Sequence, residues 1–300
     1  LRRTGERFDI VQISLMDSQV TGGAFSLAED YLYTVEAFED YYRHLNPGGI
    51  VSITRWAMLP PRDTLRLCSL ALVALKELGV EAPHEHMALV RSWGTVTLLL
   101  KRGRFTPGDK AQIKEFCQEK GFDLVYYPGI RPEEVNVYNR LPEPYYYRYV
   151  LGLLADPEGF WEDYLLDVSP TWDDRPFFHH FLKWRRLPDL YRSVGRRWEA
   201  LILWGDLILV AALSQAIIGS LILVLLPLWS FGRKAPAVSQ MERGRRWRIP
   251  VYFLCLGMGY IFIEIVLLQR FTLFLGRPIY AISTVLFSVL VFSGLGSLLS

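Results

Sequence analysis

"FDIVQISLMDSQVTGG", Phe8 to Gly23, runs from an apolar segment into an acidic one that ends in two glycines. Phe8 to Ser14 is a short, mostly apolar run, which predicts a strand covered on both faces in a parallel sheet. An acidic, glycine-bearing loop follows it directly. Open parallel sheets bind ligands outside the carboxyl ends of their strands, so Ser14 to Gly23 is where a substrate loop belongs. Asp17 is placed to accept hydrogen bonds from an amine or to take its proton. Gly22 and Gly23 allow positive φ and closure over a ligand. The same letters also make an ordinary Asx or Ser turn at Asp17 and Ser18, with glycines that merely bend the chain, and spacing alone leaves both readings open.

Working outward, Ser26 followed three residues later by Glu29 is a capping-box start, which predicts a helix from about Leu27 to His44. Asn46-Pro47-Gly48-Gly49 ends that helix. Ile50 to Thr54 (IVSIT) predicts a second buried strand. Arg62 to Leu78 carries Leu65, Cys68, Leu72, Leu75 and Leu78 at helical spacing. "HMALVRSW" and "TVTLLLKR", parted by Gly94, predict an antiparallel hairpin. Thr106 as cap with Pro107 at the first position predicts a helix to Gly121, and Phe122 to Tyr126 a further strand. The fold class is therefore α/β.

The formal net charge is only +2 over 300 residues, which argues against a polybasic nucleic-acid binder. The three cysteines, Cys68, Cys117 and Cys255, are too widely spaced for a CxxC site and read as structural thiols. Three segments reach the roughly 20 apolar residues that a bilayer crossing needs: Ala200 to Trp229, Pro250 to Leu275 and Tyr280 to Ser300. Basic clusters lie on both sides of the first, so the positive-inside rule pulls both of its ends to the cytoplasm. We expect three parts: residues 1–126 as a partial Rossmann-like domain, 127–198 as an aromatic-rich extension, and 199–300 as a membrane domain. Within the extension, Phe177 to Trp184 is expected to form a neck at headgroup depth. A chain that starts at Leu1, close to a strand, reads as an internal fragment.

Secondary candidates are fewer. Asp173-Asp174-Arg175 offers two carboxylates beside a guanidinium, suited to a cationic substrate or to a membrane latch, and equally to local pairing and capping. His179 and His180 are adjacent and point apart; His84 and His86 lack a third ligand; no metal is assigned. Glu264 sits inside the second apolar segment, where an unpaired charge costs about 3 kcal/mol on insertion scales, so it must face protein or water. Gly257, Tyr260, Glu264 and Leu268 share a helix face. Gly294 and Gly296, with Ser288 and Ser293, suit close helix packing.

The order strand, helix, strand, helix, hairpin resembles the C-terminal half of a class I, S-adenosylmethionine-binding methyltransferase-like Rossmann sheet. More narrowly, "FDIVQISLMDSQVTGGAFSL" with "LNPGGIVSI" resembles the spermidine/spermine synthase (polyamine aminopropyltransferase) family, in which a strand leads into an aspartate-rich loop and a helix ends L-x-P-G-G. "PTWDDRPFFHHFLKW" and the apolar segments after it resemble the large bacterial multipass proteins described as spermidine-synthase-like. The resemblance implies that Asp17 holds the amine and that Phe25 is the phenylalanine of the loop. Ser14 falls where that family has the aspartate credited with deprotonating the amine, and serine supplies neither that base nor a charge for an ammonium. It further implies S-adenosylmethionine or its decarboxylated form as cosubstrate, with the main contacts N-terminal to Leu1, and an amine or a membrane-associated acceptor. The expected location is the bacterial inner membrane, multipass, with the soluble domain cytoplasmic, and a homo-oligomer is left open. A transporter or sensor with a regulatory Rossmann-like domain is the alternative, and a catalytically silent scaffold a third.

Overall fold

The computed structural model describes residues 4–15, 29–186, 188–189, 192, 210–223, 243–275 and 278–299. The chain divides into two compact units, Leu1–Gln215 and Ala216–Ser300. The first is mixed α/β, in the order β1 (Phe8–Ile13), α1 (Val35–Arg43), β2 (Leu45–Trp56), α2 (Asp63–Glu77), β3 (Met87–Arg91), β4 (Thr95–Lys101), α3 (Pro107–Lys120), β5 (Asp123–Tyr126), α4 (Tyr145–Ala155) and α5 (Pro157–Asp163). Strand, helix, strand, helix and hairpin thus follow one another as expected. The five strands lie in the order β1-β2-β4-β3-β5. β1 and β2 run parallel, and the remaining neighbours run antiparallel.

Local chemistry explains several of these elements. Thr106 and Asp109 form a reciprocal capping box at α3, with Pro107 at the first position, and Gly121 closes the helix at φ 64°. Gly49 is where β2 comes closest to β1: a Cβ there would stand 3.0 Å from the carbonyl oxygens of Asn46, Asp9 and Phe8. Here the pairing slips, from Phe8↔Leu45 to Ile10↔Ile50, so the residues expected only to end a helix are absorbed into the start of β2.

Three expectations are corrected. β1 is not covered on both faces: it lies at the sheet edge, Ile10 is 67% exposed, and of the strand only Ile13 is buried. α1 starts at Val35 rather than near Leu27, of which the described part is 29–34. The reason is that the amides of Asp30 and Val35 are taken by the carbonyls of Pro176 and Thr171, while Thr34 caps the helix by accepting from the Ala37 amide at 3.2 Å. The aromatic segment at 177–184 does not stand out as a neck. Phe178, Phe181 and Leu182 are buried, and the two phenylalanines share one core with α1, α2, α4 and the covered side of the sheet.

Arg66 explains how that segment is held. It is 1% exposed inside α2, and it donates to the carbonyls of Phe178 at 2.6 Å, Phe177 at 3.3 Å and Asp167 at 2.7 Å. Burial pulls its pKa down to about 10, against the opposing charges of Asp167 and Asp63. Its guanidinium also lies 4.5 Å from the Phe181 ring centroid. At the far end of the sheet, Arg91 donates to Asp123 at 2.8 Å, and Asp123 accepts the amides of Tyr138 and Asn139, which fastens the loop after β5.

In the second unit, α7 (Arg243–Leu275) and α8 (Pro278–Leu299) pack on one another. They contain two stretches long and apolar enough to cross a membrane, Val251–Thr272 with mean hydropathy 2.2 and Ile279–Leu298 with 2.0. Of the expected first crossing, the described part is a shorter apolar helix, α6 (Val210–Leu223); its flanks lie outside the described residues.

Candidate functional site

Because β1 and β2 are parallel, their carboxyl ends open on the same side of the sheet. Ile13 pairs with Ile53, which brings Ser14 level with Thr54 and one residue short of Arg55. Ser14 is exposed, and its hydroxyl accepts from Gln12 Nε2 at 3.3 Å. Asp17, Ser18, Gly22, Gly23 and Phe25 lie outside the described residues. The chain that returns from that loop, Glu29 to Thr34, is described, and it carries polar groups to the same edge.

Asp30 accepts the Leu32 amide at 3.1 Å through one oxygen, and its other oxygen stands 3.7 Å from His179 Nε2. Tyr31 donates to Glu29 at 3.2 Å. That hydrogen bond raises the Tyr31 pKa above the ordinary phenol value, aided by partial desolvation and the nearby charges of Glu29 and Asp173. Thr34 donates its hydroxyl to Asp173 at 2.7 Å, and the Asp173 amide donates to Glu36 at 3.0 Å. Glu29, Asp30, Glu36 and Asp173 therefore gather around the first turn of α1, drawn from chain segments about 140 residues apart in sequence, as the Thr34–Asp173 pair shows.

Of the predicted triplet, Asp173 is thus built into this edge, and it ties the 171–176 segment to α1. Asp174 and Arg175 are exposed, and the Arg175 amide closes a tight turn onto the Trp172 carbonyl. Beneath the edge, Arg55 is 2% exposed and donates to Asp63 through Nε and Nη2, both at 3.3 Å, and to the Tyr33 hydroxyl at 3.2 Å. Its guanidinium carbon lies 5.0 Å from the Tyr33 ring centroid and 5.2 Å from that of Phe178, and those two centroids are 4.5 Å apart with the rings tilted by 33°.

Sequence reasoning missed Asp30, Thr34, Tyr33, Arg55 and Asp63. Asp30, Tyr33 and Thr34 fall inside the expected helix, Arg55 lies just past the expected strand Ile50 to Thr54, and Asp63 is the second residue of the expected helix from Arg62. Nothing local signals that Thr34 meets Asp173.

A carboxylate has about four acceptor positions, so Asp30, which accepts the Leu32 amide through one oxygen and faces His179 with the other, retains acceptor capacity beyond these contacts. The edge suits an ammonium or sulfonium charge. An adenine ring would need apolar walls with a gap between them, and the buried aromatics here, Tyr33 and Phe178, are packed against each other with Arg55 against both. The described residues therefore fit a cationic acceptor and do not form an adenosine slot. Among the described residues, no group of three or more His, Cys, Asp and Glu is arranged to hold a metal ion. His86 is buried beside the Tyr42 hydroxyl and the Lys101 carbonyl, each 3.3 Å from its Nδ1, and burial lowers its pKa.

Glu264 belongs to the other unit. It is half-buried on α7, in line with half-buried Leu267, Leu268, Phe271 and Thr272. On α8 the inward residues are Ala281 and Val285, followed by half-buried Ser288 and Val289. Tyr260, expected as its partner one turn away, is 50% exposed.

No family model matches the chain, and no curated protein matches its sequence.

Proposed function

We propose that the chain is part of a membrane-anchored transferase of the spermidine-synthase-like kind, acting on an amine or another cationic, membrane-associated acceptor. The observation that carries this reading is the gathering of Asp30 and Asp173 around the first turn of α1, next to Tyr33, which is bonded to Arg55 near the carboxyl end of β2. The strand order, with the second hairpin strand inserted between β2 and β3, supports a methyltransferase-like sheet.

The co-reactant in this reading is an S-adenosyl sulfonium compound, whose chemistry is to offer an alkyl group to a nucleophile. This chain's own contribution concerns the acceptor. An amine reaches the protein as an ammonium and must lose a proton before its lone pair is available. Asp30 and Asp173 attract and orient the ammonium, and Asp17, by resemblance, aligns it. Ser14 is no base, so the proton passes to a carboxylate or to His179, which stands against Asp30. Positioning supplies most of the rate in such a displacement. In this reading α7 and α8 cross the bilayer and the α/β unit lies on the cytoplasmic side, where an S-adenosyl compound is available.

The test is transfer from S-adenosylmethionine, or its decarboxylated form, to a diamine by the purified chain within its full-length protein. Asp17→Ala and Asp30→Asn are each expected to lower turnover by about 10²-fold, while Glu264→Gln leaves it unchanged. Absence of binding by either S-adenosyl compound overturns the reading. The half-burial of Glu264 on α7 favours one alternative, a transporter or sensor. There Glu264→Gln abolishes function and Asp30→Asn is silent.

A further inference from the structure

A cleft of about 410 Å³ opens between α2, the start of α5 and the Pro170–Trp172 turn. Its volume falls in the range of small-molecule sites. Two indoles line it. Trp161 is half-buried, with its Nε1 donating to the Ser69 hydroxyl at 2.8 Å, which fixes the ring. Trp172 is 38% exposed. Three carboxylates, Glu77, Asp156 and Glu158, line the same cleft against a single ammonium, Lys76. Asp156 is partly spent as the cap of α5, accepting the Gly159 amide at 3.1 Å. Glu77 and Glu158 take part in no ion pair among the described residues.

This combination selects a class of ligand. The excess of carboxylates disfavours anions and gives no advantage to neutral solutes. A small, strongly hydrated metal ion would need oxygen atoms converging on one point, and no such group is present among the described residues. Indole faces favour a large, weakly hydrated cation, which they attract through the ring quadrupole without having to match directional hydrogen bonds. We propose that this cleft is a binding site for an alkylated ammonium ion, carried either by a free solute or by a lipid headgroup. Its lining residues do not include Glu29, Asp30, Glu36 or Asp173, and the proposal stands whether or not the chain is a transferase.

The probe is choline, titrated by calorimetry into the full chain in maltoside micelles, with 3,3-dimethyl-1-butanol as its uncharged isostere. Saturable choline binding is expected, with the alcohol binding at least about tenfold more weakly. Trp172→Ala is expected to weaken choline about tenfold and Trp172→Phe to restore most of the loss. Trp172 is only 38% exposed, so a melting curve taken on each variant separates lost packing from lost binding, and Trp172→Phe, which keeps an aromatic ring, should hold both. Glu158→Gln and Glu77→Gln should each weaken choline about two- to threefold, and Lys76→Gln should strengthen it by a similar factor. A structural role for these residues predicts no such opposite signs. Nanodiscs separate the two sources: a lower apparent choline affinity in phosphatidylcholine discs than in phosphatidylglycerol discs assigns the lipid headgroup, and equal affinity in both assigns a free solute. No saturation up to about 100 mM choline, equal binding of the alcohol, or an unaltered affinity in Trp172→Ala overturns the proposal.

Discussion

The two faces of the sheet are built from the same strands and end in opposite conditions. On one, Val51, Ile53, Leu98, Leu100 and Leu89 are at most 1% exposed, under α1, α2, α4 and the chain from Tyr164 to Phe181. On the other, α3 covers only the β3–β5 end, where it packs on Ala88, Val90 and Leu124. Over β2 and β4 that face stays half-exposed, and Ser52, Thr54 and Thr97 line an open cleft of about 390 Å³ with Phe105 and Phe116 on its wall. Alternation along each strand assigns residues to two faces. Only the distant chain that returns to one of them decides which face becomes core.

The most direct way to break this difference is to release that returning chain. Arg66→Ala removes the donor that holds the carbonyls at 167, 177 and 178. It also leaves a cavity beside Phe181 and strands the Asp167 carboxylate. The expected loss is about 3 kcal/mol or more, read as a shift in urea midpoint together with new proteolytic cuts between 164 and 182. Unaltered protection of that segment would mean that apolar burial alone retains it.

Two adjacent residues of β2 point to the two faces. Ile53 is fully buried and Ser52 faces the open cleft. Ile53→Ala should cost about 2–4 kcal/mol and Ser52→Ala no more than about 0.5 kcal/mol, measured by the same denaturation. Similar costs for both would mean that the second face is covered as well.

Acid supplies a graded version of the first experiment. Burial by itself would push the Asp167 pKa up, but the Arg66 charge and the Ser169 hydroxyl and amide outweigh it and hold the carboxyl below its usual range. A carboxyl depressed in the folded state contributes stability above its unfolded pKa of about 3.9 and loses that contribution as pH falls through the folded value. The covered face should therefore weaken only below about pH 4, by less than either core substitution, and Asp167→Asn should remove this acid-dependent part of the unfolding midpoint.

How much of this was legible follows from the range of the signals. The β3–β4 hairpin and the cap and first proline of α3 were readable because turn and cap chemistry acts within a few residues. α2 was readable from its apolar spacing, yet the buried roles of Arg66 and Asp63 were not, since a helix with interspersed charges reads as half-solvated. Phe177 to Trp184 reads as a headgroup-depth segment because membrane interfaces and aromatic cores draw on the same residues. What separates them is the pair of long-range contacts through Arg66 and Thr34. At the candidate site, Ser14 lies where the sheet rule put it. The acid that the structure adds, Asp30, was hidden in a stretch read as helix, because its amide bonds to a carbonyl some 146 positions further along the chain.

β1 carries the comparison to the edge of the sheet, where the expected effect on folding is smallest. It was read as a buried strand from composition alone, yet Ile10 is 67% exposed beside an edge whose backbone groups face away from β2. A parallel edge strand with an exposed isoleucine is a template for further strand pairing. Ile10→Lys should change the unfolding free energy by no more than about 0.5 kcal/mol, since little burial is lost. It should nevertheless lower concentration-dependent association of the α/β unit, followed by light scattering, because a charge on that edge must be desolvated before another strand can dock. A stability loss comparable with that of Ile53→Ala would show that β1 is covered in solution and that its two sides are not so different.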